Sequence, residues 1–297
     1  MIKRNSLGVF IEMVVVGING GLGNQMFQYA LYLKLKSLGK DAYIDDEILV
    51  SKLNNTSALK IFDVFDLEYK KCDKRMVRKL ADVSMAPLSR ARRKFFGARD
   101  RKDTLYTEKL DYNYSEEVYN LDNKYLSGYW QTERYFSDIR GIINKNFTFR
   151  IPEEEVGSIL SKINSTNSVS LHLRRGDYVG NSVYDNICNE AYYKNAIDCI
   201  KGYVDTPHFF VFSDDPSYAR ERYSGEEFTI VDSFKGNRSH YDMFLMTKCK
   251  HNIVANSSFS WWGAWLNKNE DKIVACPKKW SNNFELYYTP CESWIKI

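Results

Sequence analysis

Two adjacent arginines at the end of an apolar run, Arg174 and Arg175 in HLRRGDYV (His172 to Val179), are the residues in this sequence best suited to chemistry. Guanidinium forks bind phosphate oxygens in pairs. When a sugar–nucleotide bond breaks, negative charge builds on the departing diphosphate, and fixed donors stabilise it by on the order of 3 kcal/mol each. Asp177 follows three residues after Arg174 and would act as a base or orient an arginine. An Arg–Asp ion pair that closes the loop is the plainer alternative.

Four other stretches carry suitable residues. In GGLGNQMFQYA (Gly20 to Ala30), Gly21 and Gly23 let backbone approach a ligand, and Asn24 would cap the helix that follows while offering an amide. The N–H groups at such a helix start favour phosphate, although a simple tight turn uses the same residues. In VFSDDPS (Val211 to Ser217), Asp214 or Asp215 would accept the ring N–H and exocyclic amine of guanine, a donor pair that adenine and uracil lack. Ser-Asp-Asp-Pro is also a good helix start. In NSSFSWWGAWL (Asn256 to Leu266), Asn256, Ser257 and Ser258 open a second anion-receiving helix, with Trp262, Trp265 and Leu266 on its buried face. In GYWQTERYF (Gly128 to Phe136), Tyr129, Trp130 and Gln131 would stack on and hydrogen-bond an acceptor sugar, or pack in the core. No Asp-x-Asp pair of the kind that holds Mn²⁺ or Mg²⁺ against a diphosphate occurs anywhere, so the arginines are expected to replace the cation and no metal is expected.

The elements that must position these residues alternate. MVVVGI (Met13 to Ile18) is apolar on both faces, as a central parallel strand should be. A helix is predicted from Asn24 to Leu38, with Gly39 as its stop, and a strand over Ala42 to Asp46. Lys124 to Trp130 predicts another strand, and Thr132 to Asn144 a helix. From Ser168 onward, strands at 168–174, 208–215, 228–232, 251–255 and 272–277 alternate with helices at 190–202, 216–222, 240–248 and 259–267. Such alternation predicts an α/β fold with two doubly wound units facing across a cleft, and it places every candidate loop at the carboxyl edge of a sheet.

The chain has 297 residues, 44% of them hydrophobic and 15% aromatic, ample for a buried core. Its net charge is +4, but residues 70–102 carry 13 Lys or Arg against Asp73, Asp82 and Asp100, a local +10 that leaves −6 for the remainder. This basic segment would sit near anionic lipid headgroups or a diphosphate-linked acceptor, or form solvated helices. No nucleic-acid partner is expected. Six cysteines without a CxxC pair, four scattered histidines and no secretory signal read as buried thiols in a reducing compartment. The expected location is cytoplasmic, with peripheral contact at the inner face of the membrane through residues 70–102. The apolar run from Leu7 to Ile18 falls short of the roughly 20 residues of a membrane span, and residues 1–12 read as an extension.

GGLGNQMFQYA, HLRRGDYV, FSDD, GYWQTERYF and the block DMFLMTKCKHNIVANSSFSWWGAWL (Asp242 to Leu266) together resemble, in order and separation, glycosyltransferase family 11, the α-1,2-fucosyltransferases of bacterial surface glycans. The resemblance implies a GT-B-like fold of two Rossmann-like domains. Residues 1–155 would form the acceptor side, with the glycine loop and a basic insertion at about 70–104, and residues 156–297 would bind the GDP-sugar. It implies inverting transfer from GDP-β-L-fucose to the 2-hydroxyl of a terminal galactose. Arg174 would then hold the diphosphate with Arg175 in support, and His172, Asp214 and Asp215 would lie near the nucleoside. Ser257 and Ser258 would lie near the phosphates, and Asp177 would be the base. The alternatives are GDP-mannose or another linkage, a dinucleotide-dependent oxidoreductase with Asp45 or Asp46 at the ribose, and a non-catalytic glycan-binding module. Against the oxidoreductase, the third glycine position of its fingerprint is Met26.

Overall fold

The computed structural model describes residues 13–52, 59–84, 86–109 and 114–297; the extension expected at residues 1–12 lies outside them. In chain order the first unit holds β1 (Met13–Gly17), α1 (Leu22–Ser37), β2 (Asp41–Asp45), α2 (Glu47–Lys52), α3 (Ile61–Val64), α4 (Lys74–Leu80), α5 (Pro87–Phe96), β3 (Leu105–Thr107) and β4 (Lys124–Ser127). Its four strands are all parallel, in the order β2-β1-β4-β3. All five residues of β1 are buried, which is why an uninterrupted apolar run, rather than an alternating one, forms this inner strand.

Helices α6 (Arg140–Asn146) and α7 (Glu153–Ser165) lead to the second unit. It contains β5 (Asn167–Leu173), α8 (Glu190–Lys201), β6 (Pro207–Ser213), α9 (Pro216–Arg222), β7 (Phe228–Val231), α10 (His240–Lys248), β8 (His251–Ile253), α11 (Ser258–Trp265), β9 (Val274–Cys276) and β10 (Ile295–Lys296). The sheet is parallel throughout, ordered β10-β9-β8-β5-β6-β7, with β5 and β6 paired over seven residues. Two parallel α/β units facing across a cleft are thus what the alternation predicted. The short edge strands β3 and β10 carry no pattern of their own and were not anticipated.

The two units share one core. Phe27 of α1 packs against Trp261 and Trp262 of α11 at ring-centroid distances of 4.5 and 4.9 Å, and Phe136 stacks on Trp262 at 5.4 Å. The tryptophans of α11 are almost fully buried, so they serve as packing and not as sugar platforms. This packing also explains a departure from the expected helix at 132–144. That stretch is two single 3-10 turns, Glu133–Tyr135 and Ser137–Ile139, before α6 begins at Arg140. Phe136 turns toward Trp262, while its neighbour Tyr135 packs among Tyr114, Tyr119 and Trp130. One helical face cannot present adjacent residues to two such groups, and Phe136 breaks the run at φ −153°. No helix among the described residues is long and apolar enough to cross a membrane.

Candidate active site

A cleft of about 1000 Å³ runs between the carboxyl edges of the two sheets. The glycine loop after β1 and Tyr129 and Gln131 after β4 face His172, Arg174 and Asp177 after β5. Asp214 after β6 and Asn256, Ser257 and Ser258 after β8 complete that side. Parallel strands end at the same edge, so loops far apart in sequence converge there.

Arg174 stands in the wall of the cleft and is held from two sides. Its guanidinium donates to Asp177 Oδ1 at 2.5 Å and pairs with Asp214 Oδ2 at 2.9 Å. Its Nε has no partner, although it is shut off from solvent. Asp214 also accepts the Arg175 backbone N–H at 2.9 Å, so one carboxylate braces the whole turn. Gly176 lets the Asp214 carboxylate pack close against the turn, since a Cβ there would come within 2.5 Å of Asp214 Oδ2 and push that side chain aside. His172, buried beside this turn, has its pKa pushed down to about 3 by burial and by the nearby charge of Arg174. It therefore stays neutral at physiological pH, and its Nδ1 has no protein partner.

Two helix N-termini meet at the cleft. α1 starts at Leu22 with Gly21 as its N-cap, and no side chain caps it. Asn24 is thus not the cap expected from the sequence: it lies within the first turn, and its Oδ1 accepts from Gln131 Nε2 at 2.7 Å. α11 is capped by Ser257, whose Oγ accepts the Phe259 N–H at 3.3 Å. The two ends touch. Trp262 Nε1 donates to the Gly23 carbonyl at 3.0 Å, and a Cβ on Gly23 would lie 2.5 Å from the Ser258 carbonyl carbon. Both helix dipoles therefore present partial positive charge to one side of the cleft. Gly23→Ala is expected to lower stability by about 1–3 kcal/mol, because backbone cannot swing away as a side-chain tip does. Gly21→Ala, whose Cβ meets nothing within 4 Å, should leave the unfolding temperature unchanged. Thermal unfolding of both variants checks this.

Three residues selected from the sequence do not line this cleft. Arg175 turns the other way: its guanidinium stacks on the Tyr218 ring at 3.6 Å, and its Nε donates to Asp215 Oδ2 at 3.2 Å. Asp215 caps α9 by accepting the Tyr218 N–H at 3.1 Å, and that hydrogen bond, with Arg175, holds its carboxyl below the usual range. Trp130 is buried, with its backbone N–H held by the carboxylate of Glu108 and its φ at +59°. The strand predicted through Trp130 accordingly ends at Ser127.

The structure adds residues that sequence reasoning missed. Asp242, in the first turn of α10, lines the cleft, and its Oδ1 is shut off from solvent with no partner; burial raises its pKa well above the carboxylate range. Trp280 lines the same cleft with an unpartnered indole N–H. Lys235 adds an exposed cation at the rim. A cue existed for Asp242, an acid within the apolar run DMFLM. No group of three or more His, Cys, Asp or Glu suited to a metal ion occurs among the described residues.

The family model described as glycosyl transferase family 11 matches residues 104–296. The chain belongs to this family. It is a glycosyltransferase. This family 11 enzyme is 33% identical over 304 residues to an alpha-1,2-colitosyltransferase of Escherichia coli, covering 97% of this chain and 99% of that protein. It is 28% identical over 200 residues to galactoside alpha-(1,2)-fucosyltransferase 1 of Lagothrix lagotricha, covering 62% of this chain and 51% of that protein. Among solved structures, the fucosyltransferase NodZ of Bradyrhizobium aligns with a TM-score of 0.49 at 15% identity, over 85% of this chain and 92% of that one. The oxidoreductase alternative also loses its ribose ligands. Asp45 accepts from Tyr125 Oη at 2.9 Å and from the Glu47 N–H at 3.0 Å, and Asp46 pairs with Lys71 at 2.7 Å.

Proposed function

We propose that this family 11 glycosyltransferase transfers L-fucose from GDP-β-L-fucose to the 2-hydroxyl of a terminal galactose, with inversion and without a metal ion. The observation that carries the reading is Arg174, fixed by two carboxylates in a cleft that also receives the N-termini of α1 and α11. Those groups supply preorganised N–H donors where a diphosphate would gain negative charge, with the two carboxylates holding the guanidinium in place. The relatives named alpha-1,2-colitosyltransferase and galactoside alpha-(1,2)-fucosyltransferase support the linkage and the sugar class.

The base-reading role passes from Asp214 and Asp215 to Asp242. Asp214 is engaged by Arg174 and the Arg175 N–H, and Asp215 caps α9, whereas Asp242 lines the cleft with an Oδ1 that no protein group satisfies. Its carboxylate would accept the ring N–H and exocyclic amine of guanine once a nucleotide turns it into the cleft. In the reaction, the galactose 2-hydroxyl oxygen attacks the anomeric carbon from the face opposite GDP. The bond from that carbon to the β-phosphate oxygen breaks, and its electron pair leaves with GDP against Arg174. The hydroxyl proton goes to Asp177, which is 70% exposed and can pass it to water. Tyr129 and Gln131 line the first unit's side, where the acceptor would lie.

Incubating the purified chain with GDP-fucose, a β-galactoside and EDTA tests this, with the linkage read by NMR. A 1,2-linked α-fucoside is the expected product. No transfer to any galactoside, or complete dependence on added Mn²⁺, contradicts it. The colitosyl relative favours a second donor: colitose is fucose without its 3-hydroxyl. If fucose is the true donor sugar, GDP-colitose should show a kcat/KM lower by at least about 10²-fold, because a site built to bond a hydroxyl rejects the analogue lacking it. A higher kcat/KM for GDP-colitose would reassign the donor.

A further inference from the structure

Helix α5 reverses the usual arrangement of a surface helix. In PLSRARRKFF the polar side faces the protein: Arg92 pairs with Asp82, and Arg93 donates to the carbonyls of Asp82 at 3.1 Å and Ser84 at 2.7 Å. The apolar residues face outward, with Leu88, Phe95 and Phe96 at 86%, 76% and 84% exposure. Ala91 lies one turn from both Leu88 and Phe95 and completes an exposed stripe. No residue of the helix is buried. A short helix in water normally depends on burying such a face, so this one lacks the cover that would stabilise it.

The charge around the stripe identifies the cover. Arg90 and Lys94 project from the outward arc of α5, and Lys74, Arg75, Arg78 and Lys79 of the neighbouring α4 are exposed. None of these six forms an ion pair among the described residues. α4 itself is anchored by Val77 and Leu80, which are buried with Val15 and Tyr125 of the first sheet. Cations interleaved with exposed Leu and Phe match a surface that is anionic outside and apolar just beneath. A nucleic-acid backbone would engage the cations but leave Leu88 in water.

We propose that α5 is the helix by which this transferase docks on an anionic lipid surface, with Leu88, Phe95 and Phe96 at the acyl boundary and the cations of α4 and α5 at the headgroups. This is independent of which sugar the enzyme transfers. Flotation of the full chain with phospholipid vesicles tests it. Binding to vesicles containing about one third phosphatidylglycerol is expected, falling with added salt and weak on pure phosphatidylcholine. The triple variant Leu88→Ser, Phe95→Ser, Phe96→Ser and the double variant Arg90→Glu, Lys94→Glu should each lower the partition coefficient by about tenfold or more. Both should keep the wild-type unfolding temperature, since every changed side chain is exposed. The proposal is overturned by wild-type protein that ignores the anionic vesicles, by equal binding to phosphatidylcholine, or by variants that bind as wild type does. Salt-sensitive binding to duplex DNA or RNA without vesicle binding would assign the surface to nucleic acid instead.

Discussion

Arg174→Ala is expected to lower kcat by about 10²–10³-fold, the range found when a fixed donor to a developing charge is removed. The loss should fall mainly on kcat and less on the KM for the donor sugar, because the extra charge on the departing diphosphate is absent from the bound donor and develops only as the bond breaks. Arg174→Lys should restore little. Arg174 meets Asp177 and Asp214 through two different nitrogens, and a lysine has only one, so it cannot reproduce the fork that spans both carboxylates and faces phosphate. The turn itself should survive, since Asp214 still accepts the Arg175 N–H and Gly176 still fits against it. Steady-state kinetics with unfolding curves for both variants separates lost catalysis from lost fold. Unchanged kcat in Arg174→Ala would remove the arginine from the mechanism.

Asp242→Asn is expected to weaken GDP binding by about 10²-fold, because an amide replaces one acceptor oxygen with a donor that opposes the guanine N–H groups. The free protein should be as stable as wild type or more so. Burial raises the folded pKa of Asp242, so the native state loses stability as pH climbs from the unfolded value through the folded one, and the amide removes that cost. Binding should also carry a pH signature. A carboxylate accepting two N–H bonds is favoured in its charged form, so GDP binding should release a proton and tighten as pH rises toward the free-state pKa. Titration calorimetry in buffers of different ionisation enthalpy reads that proton directly. Equal GDP affinity in wild type and Asp242→Asn would place guanine elsewhere.

The parts of this site visible in the sequence were those written as local pattern. An uninterrupted apolar strand followed by glycines, and arginines just past a second strand, locate two sides of the cleft because parallel strands end at one edge. What could not be read was the direction of each side chain. Arg174 and Arg175 are adjacent and chemically identical, yet only the first faces the cleft; Tyr218 and the α9 cap offer the second a stacking and pairing site that no spacing rule reveals. Asn24 looked like a cap, but Gly21 already occupies that position and Gln131, more than a hundred residues away, claims its side chain. Asp242 was given no role by any spacing, and only the packing around α10 shuts one of its oxygens off from solvent. The basic segment announced its charge, while the outward turn of Leu88 and Phe95 depends on Asp82 and Ser84 holding the arginine side of α5.

Diffraction from crystals soaked with GDP tests the central claim most directly. Diphosphate oxygens are expected within about 3 Å of the Arg174 guanidinium and of the N–H groups that open α11, with guanine against Asp242. A nucleotide lodged outside the cleft between the two sheets, or a diphosphate bound beyond the reach of Arg174, is the contrary result.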